Sequence, residues 1–136
     1  MSGRSDRHRD GTIWEDMGGY ARSARRGSRI EVSGTTASSP DGSALALHDT
    51  AAQTEAALLI AVRAVEALGG RIDDVIRTRI FLAPGADWEQ AAAAHKAVLG
   101  SIEPANTIVY VHGLIGDGHL VEVEVEAEVL DAGARP

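Results

Sequence analysis

The strict alternation of valine and glutamate near the end of the chain limits its fold more than any other feature. Residues 121–128 read Val-Glu-Val-Glu-Val-Glu-Ala-Glu. Successive side chains of a β-strand point to opposite faces, so a strand would place every carboxylate on one face and every apolar side chain on the other. We therefore predict a strand over 120–130 that has one buried face and one charged face.

The glutamates of the charged face allow two interpretations. Closely spaced carboxylates raise one another's pKa, and this can hold a general acid or base ready near neutral pH. Alternatively, the face forms ion pairs with Arg22, Arg77 and Arg79, which also stand at positions expected in strands. For three of the four glutamates we favour the ion pairs.

Two stretches have the composition and the end signals of helices. Thr50 and Gln53 form a capping-box pattern at the start of the first, which we predict over 50–68 before two glycines end it. Asp87 has the position of an N-cap for the second, which is rich in alanine and covers 88–99. Both helices stand between predicted strands.

The remaining extended segments complete an α+β fold in the order β-β-α-β-α-β-β. Right-handed connections place both helices on one face of a mixed sheet and leave the other face uncovered. The predicted strands before the last one are 20–25 and 29–35, which form a hairpin, then 74–82 and 106–112.

The uncovered face leads to a prediction about assembly. Val75 and Phe81 fall on it if the strand over 74–82 alternates regularly. Apolar side chains there would face water unless another subunit covered them. We therefore expect an oligomer.

Length and composition limit the other possibilities. The 136 residues fit one domain, which we place at 13–131, between a disordered leader over 1–12 and a flexible tail over 132–136. The first residues lack the apolar core of a signal peptide, and no apolar segment is long enough to span a membrane. We expect a cytoplasmic protein that does not bind membranes.

Several classes of function are disfavoured by what the chain contains. It has no cysteine, and its five histidines show no metal-binding spacing, so we expect neither a metal site nor a cofactor. The net charge of −7 and the few aromatic residues argue against a nucleic-acid binder. Ser33 and Gly34 open a short polar segment that is either a backbone-rich ligand cradle or only the end of a strand.

Five segments in this order and spacing resemble the RidA (YjgF) family of reactive intermediate deaminases. They are Val32–Thr36, Val75–Leu82, Asp87-Trp88, Glu103–Ala105 and Leu120–Glu124. The resemblance implies a chorismate-mutase-like fold and a homotrimer whose sheets enclose a central barrel. It also implies small-molecule sites in the clefts between subunits, where family members hydrolyse enamines and imines.

The resemblance also assigns site residues. Glu122 matches the glutamate that positions the attacking water, and a shift of two residues would give Glu124 that role instead. Tyr20 matches a tyrosine that lines the cleft. Ser33 and Gly34 match the pair that binds the substrate through the backbone.

Two positions depart from the family pattern, and one of them is Ala92, which stands where an asparagine is often found in the cleft. Asn106 stands where the family's arginine grips the substrate carboxylate, and an amide lacks the charge and the bidentate geometry of a guanidinium. Arg22 could supply the charge from another strand. Two functions remain open: a deaminase for substrates without the usual carboxylate anchor, and a trimer that binds a small metabolite without turnover. The net charge disfavours an endoribonuclease.

Overall fold

The structure is a computed structural model that describes residues 5–130. Two helices and the sheet form the core, and short elements precede them. The predicted tail over 132–136 lies outside the described residues. The elements are β1 (Ser5–His8), α1 (Ile13–Gly18), β2 (Ser23–Arg26), β3 (Arg29–Thr36), α2 (Thr50–Ala67), a 3-10 helix (Ile72–Asp74), β4 (Val75–Leu82), α3 (Trp88–Leu99), β5 (Ala105–Tyr110) and β6 (Val121–Glu128).

The strands form one mixed sheet in the order β1-β2-β3-β6-β4-β5. Every neighbouring pair is antiparallel except β4 and β5, which are parallel. β6 therefore lies in the middle of the sheet, and its Val121, Val123 and Val125 are completely buried in the core with α2. The alternation in the sequence has the predicted consequence, because the glutamates between these valines point to the face away from the helices.

Both predicted helices are present, and one cap differs from the prediction. Asp87 caps α3 as predicted, because its carboxylate accepts hydrogen bonds from the backbone N–H groups of Glu89 and Gln90. The cap of α2 is Asp49, which accepts from the N–H of Ala52 at 2.9 Å, and not Thr50. The Thr50 hydroxyl instead accepts a bond from the backbone of Asp87, which ties the starts of the two helices together.

The segment before residue 20 corrects the prediction of a disordered leader over 1–12. Within the part that the structure describes, β1 pairs with β2 from Ser5 to His8, and α1 follows it. The buried Glu15 holds the turn between them, since its carboxylate accepts hydrogen bonds from the N–H groups of Gly11 and Thr12. These elements have four and six residues and no apolar repeat, so periodicity does not reveal them.

The first apolar residues of β4 do not follow the alternation that the sequence suggests, because Val75 is buried and Ile76 is 46% exposed. A bulge between Val75 and Arg77 breaks the regular alternation of β4. Val75 therefore turns into the core and is 2% exposed, so its predicted place on the uncovered face is wrong, while Phe81 is half-buried. The prediction of an oligomer loses one of the two apolar residues on which it depended.

Candidate functional site

A pocket of about 310 Å³ lies where α1, the end of β3 and the start of β6 approach one another. We call it the Glu122 pocket. It collects most of the site residues that the sequence indicates. Those on its wall are Tyr20, Arg22, Gly34 and Glu122.

Glu122 is the only carboxylate of β6 on the wall of this pocket. Its neighbours in the sheet are Thr36 on β3 and Phe81 on β4. Burial, together with the charge of Glu124, raises the pKa of Glu122, and the charges of Arg22 and His119 partly oppose this rise. Within residues 5–130 no group forms a hydrogen bond with the Glu122 carboxylate, so its oxygens can bind a water or a ligand.

Gly34 leaves the space that the Glu122 side chain occupies. A bulge in β3 places Ser33 and Gly34 together opposite Glu124, because Val32 pairs with Val125 and Thr35 with Val123. A Cβ at position 34 would collide with the carboxylate oxygen of Glu122 and stand 3.1 Å from its Cδ. A larger residue at position 34 would therefore push the Glu122 carboxylate away from its present place.

Arg22 lies in the pocket, but its guanidinium group is already bound by the protein. Nη1 donates to the Gly34 carbonyl at 2.7 Å and to the Thr35 hydroxyl at 3.2 Å, which uses both of its hydrogens. Nε donates to Asp10 at 3.2 Å, and Nη2 lies 3.4 Å from the Thr12 hydroxyl. Arg22 thus fixes the β3 bulge and contributes charge, while few of its hydrogens remain for a substrate.

Tyr20 and Ser33 support the site in different ways. Tyr20 lies before β2, which starts at Ser23 and not at residue 20 as predicted, and its ring centre is 5.6 Å from the Arg22 guanidinium carbon. The Ser33 hydroxyl donates to the Ala21 carbonyl at 2.7 Å. Tyr20 is therefore a wall of the pocket, and the Ser33 side chain is occupied in holding the chain before β2.

The structure does not bring Asn106 to Glu122 within one chain. Asn106 pairs with Thr78, and its amide donates to the Thr78 hydroxyl at 2.9 Å. Thr78 is completely buried on the helix side of the sheet, where its hydroxyl also lies 2.8 Å from Nε2 of His95. Asn106 therefore faces the helices, whereas Glu122 faces the opposite side.

The other glutamates of β6 form the ion pairs that the sequence analysis favoured, with partly different partners. Arg79 lies 2.7 Å from Glu126 and 3.6 Å from Glu124. Arg29, which the prediction did not include, pairs with Glu126 at 2.9 Å and approaches Glu128 at 3.8 Å. Of the two other predicted partners, Arg22 binds Asp10, and Arg77 donates to the Thr107 hydroxyl.

The apolar wall of the pocket was not predicted from the sequence. Trp14 and Met17 reach it from α1, and Ile115 reaches it from the loop before β6. Met17 and Ile115 are 74% and 75% exposed, so they form the rim. An exposed methionine or isoleucine outside the predicted elements does not by itself indicate a pocket. These two residues indicate one only because the fold places them around the same opening.

Two further features concern metals and membranes. Between residues 5 and 130, no three histidine, aspartate or glutamate side chains are arranged to hold a metal ion. In the same part of the chain, no helix combines the length and the apolar character needed to cross a bilayer.

These elements define an α+β domain of the chorismate-mutase-like fold with a carboxylate pocket at one end of the sheet. The family model described as Endoribonuclease L-PSP matches residues 14–129. The chain thus belongs to this family, the RidA/YjgF family that its sequence resembles.

Known relatives agree with this family. The uncharacterized protein SCO2049 of Streptomyces coelicolor is 40% identical over 121 residues, which cover 89% of this chain and 90% of that protein. The crystal structure of Rv2704 from Mycobacterium tuberculosis, a member of the YjgF/YER057c/UK114 family, has 35% identity and a TM-score of 0.81, with 93% of this chain and 100% of that chain covered. YyfA of Yersinia pestis, from the Rid protein family, has 28% identity and a TM-score of 0.73, with 82% and 89% covered.

Proposed function

We propose that this protein is a hydrolase that deaminates enamines or imines, and that Glu122 directs the attacking water. The observation that carries the proposal is the Glu122 carboxylate itself, which is half-buried, lacks a hydrogen-bond partner among the described residues and lines a pocket of about 310 Å³. Its raised pKa makes it a stronger base than an exposed glutamate. Family membership supports the same reaction class.

The reaction needs one group that both accepts and returns a proton. Glu122 accepts a proton from water as the water oxygen bonds to the imine carbon. The proton then passes to the nitrogen, which gives a carbinolamine. Glu122 next carries the hydroxyl proton of this intermediate to the nitrogen as the carbon–nitrogen bond breaks, and the products are a carbonyl compound and ammonia. An enamine enters the same path when its carbon takes up a proton and it becomes an imine.

The walls of the pocket indicate the kind of substrate. Among the described residues, Arg22 is the one cation on the wall, and protein groups already bind its Nε and Nη1. A substrate carboxylate could form a bidentate pair with this guanidinium only by displacing these bonds. Trp14, Met17 and Ile115 instead offer apolar surface. We therefore propose a substrate that has an apolar side chain and no free carboxylate.

We further propose a homotrimer that acts in the cytoplasm and has its small-molecule clefts between subunits. Within one chain Asn106 and Glu122 lie on opposite faces of the sheet, so Asn106 can contribute to a cleft only from a neighbouring subunit. Light scattering at micromolar concentration should give about three times the chain mass of 14.2 kDa. A monomer mass would exclude the shared cleft.

A second candidate function is a trimer that binds a small metabolite without turnover. The observation that favours it is that both residues considered for binding a substrate carboxylate already have partners in the protein. Asn106 binds Thr78, and Arg22 binds the β3 bulge. We do not propose an endoribonuclease, although the family description uses that word. The net charge of −7 opposes phosphate binding, and within residues 5–130 the only cation on the pocket wall is Arg22, which protein groups already bind.

The first experiment compares imines that differ only in the carboxylate. An amine oxidase generates imines from phenethylamine and isobutylamine, and an L-amino-acid oxidase generates them from phenylalanine and valine. We expect the protein to accelerate ammonia release from the first pair more than from the second.

Glu122→Ala is the test variant, and Glu128→Ala on the same face of β6 is the matched control. Loss of acceleration only in Glu122→Ala supports the deaminase. No acceleration with any imine, combined with a thermal shift on ligand addition, would replace the deaminase by the binding function.

A further inference from the structure

Asp10 is a second carboxylate on the wall of the Glu122 pocket, and the proposed reaction does not use it. Its Oδ2 lies 3.2 Å from Nε of Arg22. The Asp10 side chain is 26% exposed and that of Arg22 is 5% exposed, so the pair is largely shielded from solvent. The pocket thus already contains a carboxylate that is bound to its arginine.

Asp10 occupies one particular edge of the Arg22 guanidinium. This group has five N–H donors in a fixed plane, and a carboxylate pairs with it most strongly through two parallel hydrogen bonds. The hydrogens of Nη1 are used by β3, at the Gly34 carbonyl and the Thr35 hydroxyl. Nε and Nη2 form the opposite edge, where Asp10 binds Nε and the Thr12 hydroxyl lies 3.4 Å from Nη2. Asp10 therefore stands where a substrate carboxylate would have to bind.

The turn before α1 is built to hold Asp10 at this edge. The carboxylate of Glu15, which is 1% exposed, accepts hydrogen bonds from three consecutive backbone N–H groups. They belong to Asp10, Gly11 and Thr12, at 3.2, 2.8 and 3.0 Å. Gly11 has φ of +86°, a conformation that favours glycine. The place of Asp10 is thus determined by the turn as well as by its attraction to Arg22.

The charges on the wall act in the same direction as this contact. Among the described residues, the charged side chains that line the pocket are Asp10, Arg22 and Glu122. An incoming carboxylate would meet two negative charges and one arginine whose charge Asp10 already balances. Removal of Asp10 would free the Nε edge and would also remove one of the two negative charges.

We propose that Asp10 determines the specificity of this pocket: by holding the Nε edge of Arg22, it excludes ligands that carry a free carboxylate. This inference deepens the proposed function and rests on it for the reaction of the bound substrate. The exclusion itself is a property of binding, so it is measurable without turnover.

The test uses two ketones, phenylacetone and phenylpyruvate, as probes. They share a benzyl group and a carbonyl, and the methyl group of the first is replaced by a carboxylate in the second. Calorimetric titration gives their dissociation constants for the wild type, Asp10→Ala and Asp10→Asn. Asp16→Asn is the matched control, because Asp16 is 88% exposed and pairs with the exposed Arg9 instead.

We expect the wild type to bind phenylacetone more tightly than phenylpyruvate. Asp10→Ala should bind phenylpyruvate about 10-fold or more tightly than the wild type does, because hydrogen bonds to a charged group have this strength. Its affinity for phenylacetone should change little. Asp10→Asn keeps an oxygen that accepts from Nε, so its gain should be smaller. Asp16→Asn should bind both ketones as the wild type does.

The outcomes separate this inference from the proposed function. An unchanged affinity for phenylpyruvate in a natively folded Asp10→Ala overturns the inference, even if the protein hydrolyses imines. Tighter phenylpyruvate binding without any imine hydrolysis supports the inference and refutes the deaminase. If both are correct, Asp10→Ala raises kcat/KM for the imine of phenylalanine relative to that of phenethylamine by a similar factor, whereas a loss of structure would lower both.

If Asp10→Ala does not fold, the wild type and Asp10→Asn still decide. Equal affinities of the wild type for the two ketones would overturn the inference, since Asp10 would not then exclude a carboxylate. The Nε–H resonance of Arg22 in ¹⁵N-labelled protein should stay unchanged when phenylpyruvate is added to the wild type and should move when it is added to Asp10→Asn. Movement in the wild type would show that the ligand displaces Asp10, which the inference forbids.

Discussion

The two ends of β6 present the same residue on the same face, and their surroundings make them different. Near its end, Glu126 has a side chain that is 17% exposed and lies between Arg79 and Arg29, at 2.7 and 2.9 Å. At its start, Glu122 is half-buried and has no ion pair or hydrogen bond among the described residues. A carboxylate that is paired with arginines stabilises the fold. A carboxylate that lines a pocket without an ion pair is available for chemistry.

The largest expected effect comes from filling the space beside Glu122. Gly34→Ala places a methyl group against the carboxylate and should lower the rate of imine hydrolysis by about 10- to 100-fold, since misplacement of a catalytic group by 1 Å can cost that much. The measurement is kcat/KM on the preferred imine. Gly113→Ala is the matched control, because a Cβ there meets nothing within 4 Å. Equal rates in both variants would mean that Glu122 is not the catalytic group.

The second expected effect is that substitutions of Glu126 and Glu122 change the free energy of unfolding in different directions. Glu126→Gln removes the partner of two arginines and should lower the free energy of unfolding by about 1 kcal/mol. Glu122→Gln removes a charge that burial penalises, so it should leave stability unchanged or raise it slightly. Denaturant unfolding at pH 7 measures both. Destabilisation of the two variants to the same extent would contradict the contrast between the ends of β6.

A smaller effect follows from the raised pKa of Glu122. The folded state binds this proton more tightly than the unfolded chain, whose glutamate has the ordinary value of 4.5. The stability that the protonated group contributes is therefore full below about pH 4.5 and is lost as the pH rises through the folded-state pKa. The wild type should lose stability relative to Glu122→Gln across that window. Parallel curves in denaturant unfolding from pH 4 to 7 would show that the pKa is not raised.

The smallest effect concerns the exposed partner of Glu126. The Arg29 side chain is 52% exposed, so solvent and salt screen its pairs with Glu31, Glu126 and Glu128. Arg29→Gln should change stability less than Glu126→Gln does, and 0.5 M sodium chloride should remove most of the change. A larger loss than in Glu126→Gln would mean that Arg29, and not Arg79, is the main partner.

Much of the fold could be predicted because its signals are local. The Val-Glu alternation determines β6, and the Asp87 cap with its alanine-rich stretch determines α3. The prediction failed where an element is short or where a bulge changes the alternation. β1 and α1 belong to the first kind, and Val75, turned into the core by the bulge in β4, belongs to the second.

The candidate site was predictable only in part. The family resemblance indicated Glu122, Gly34 and Tyr20, and the structure gathers all three around one pocket. It could not indicate that Arg22 is already bound, or that Asn106 faces the helices. Both facts depend on which face of which strand each side chain occupies, and a bulge or a strand boundary shifted by one residue changes that.

The sequence by itself determined the strand that carries the glutamates, the two long helices and the family. These follow from periodicity, caps and motifs that lie within a few residues of one another. Only the tertiary structure decided which glutamate is left without an ion pair and which residues surround it. Gly34 and Arg22 are distant from Glu122 in the chain, and they act on it because the bulge in β3 and the pairing of β3 with β6 bring them to the same end of the sheet.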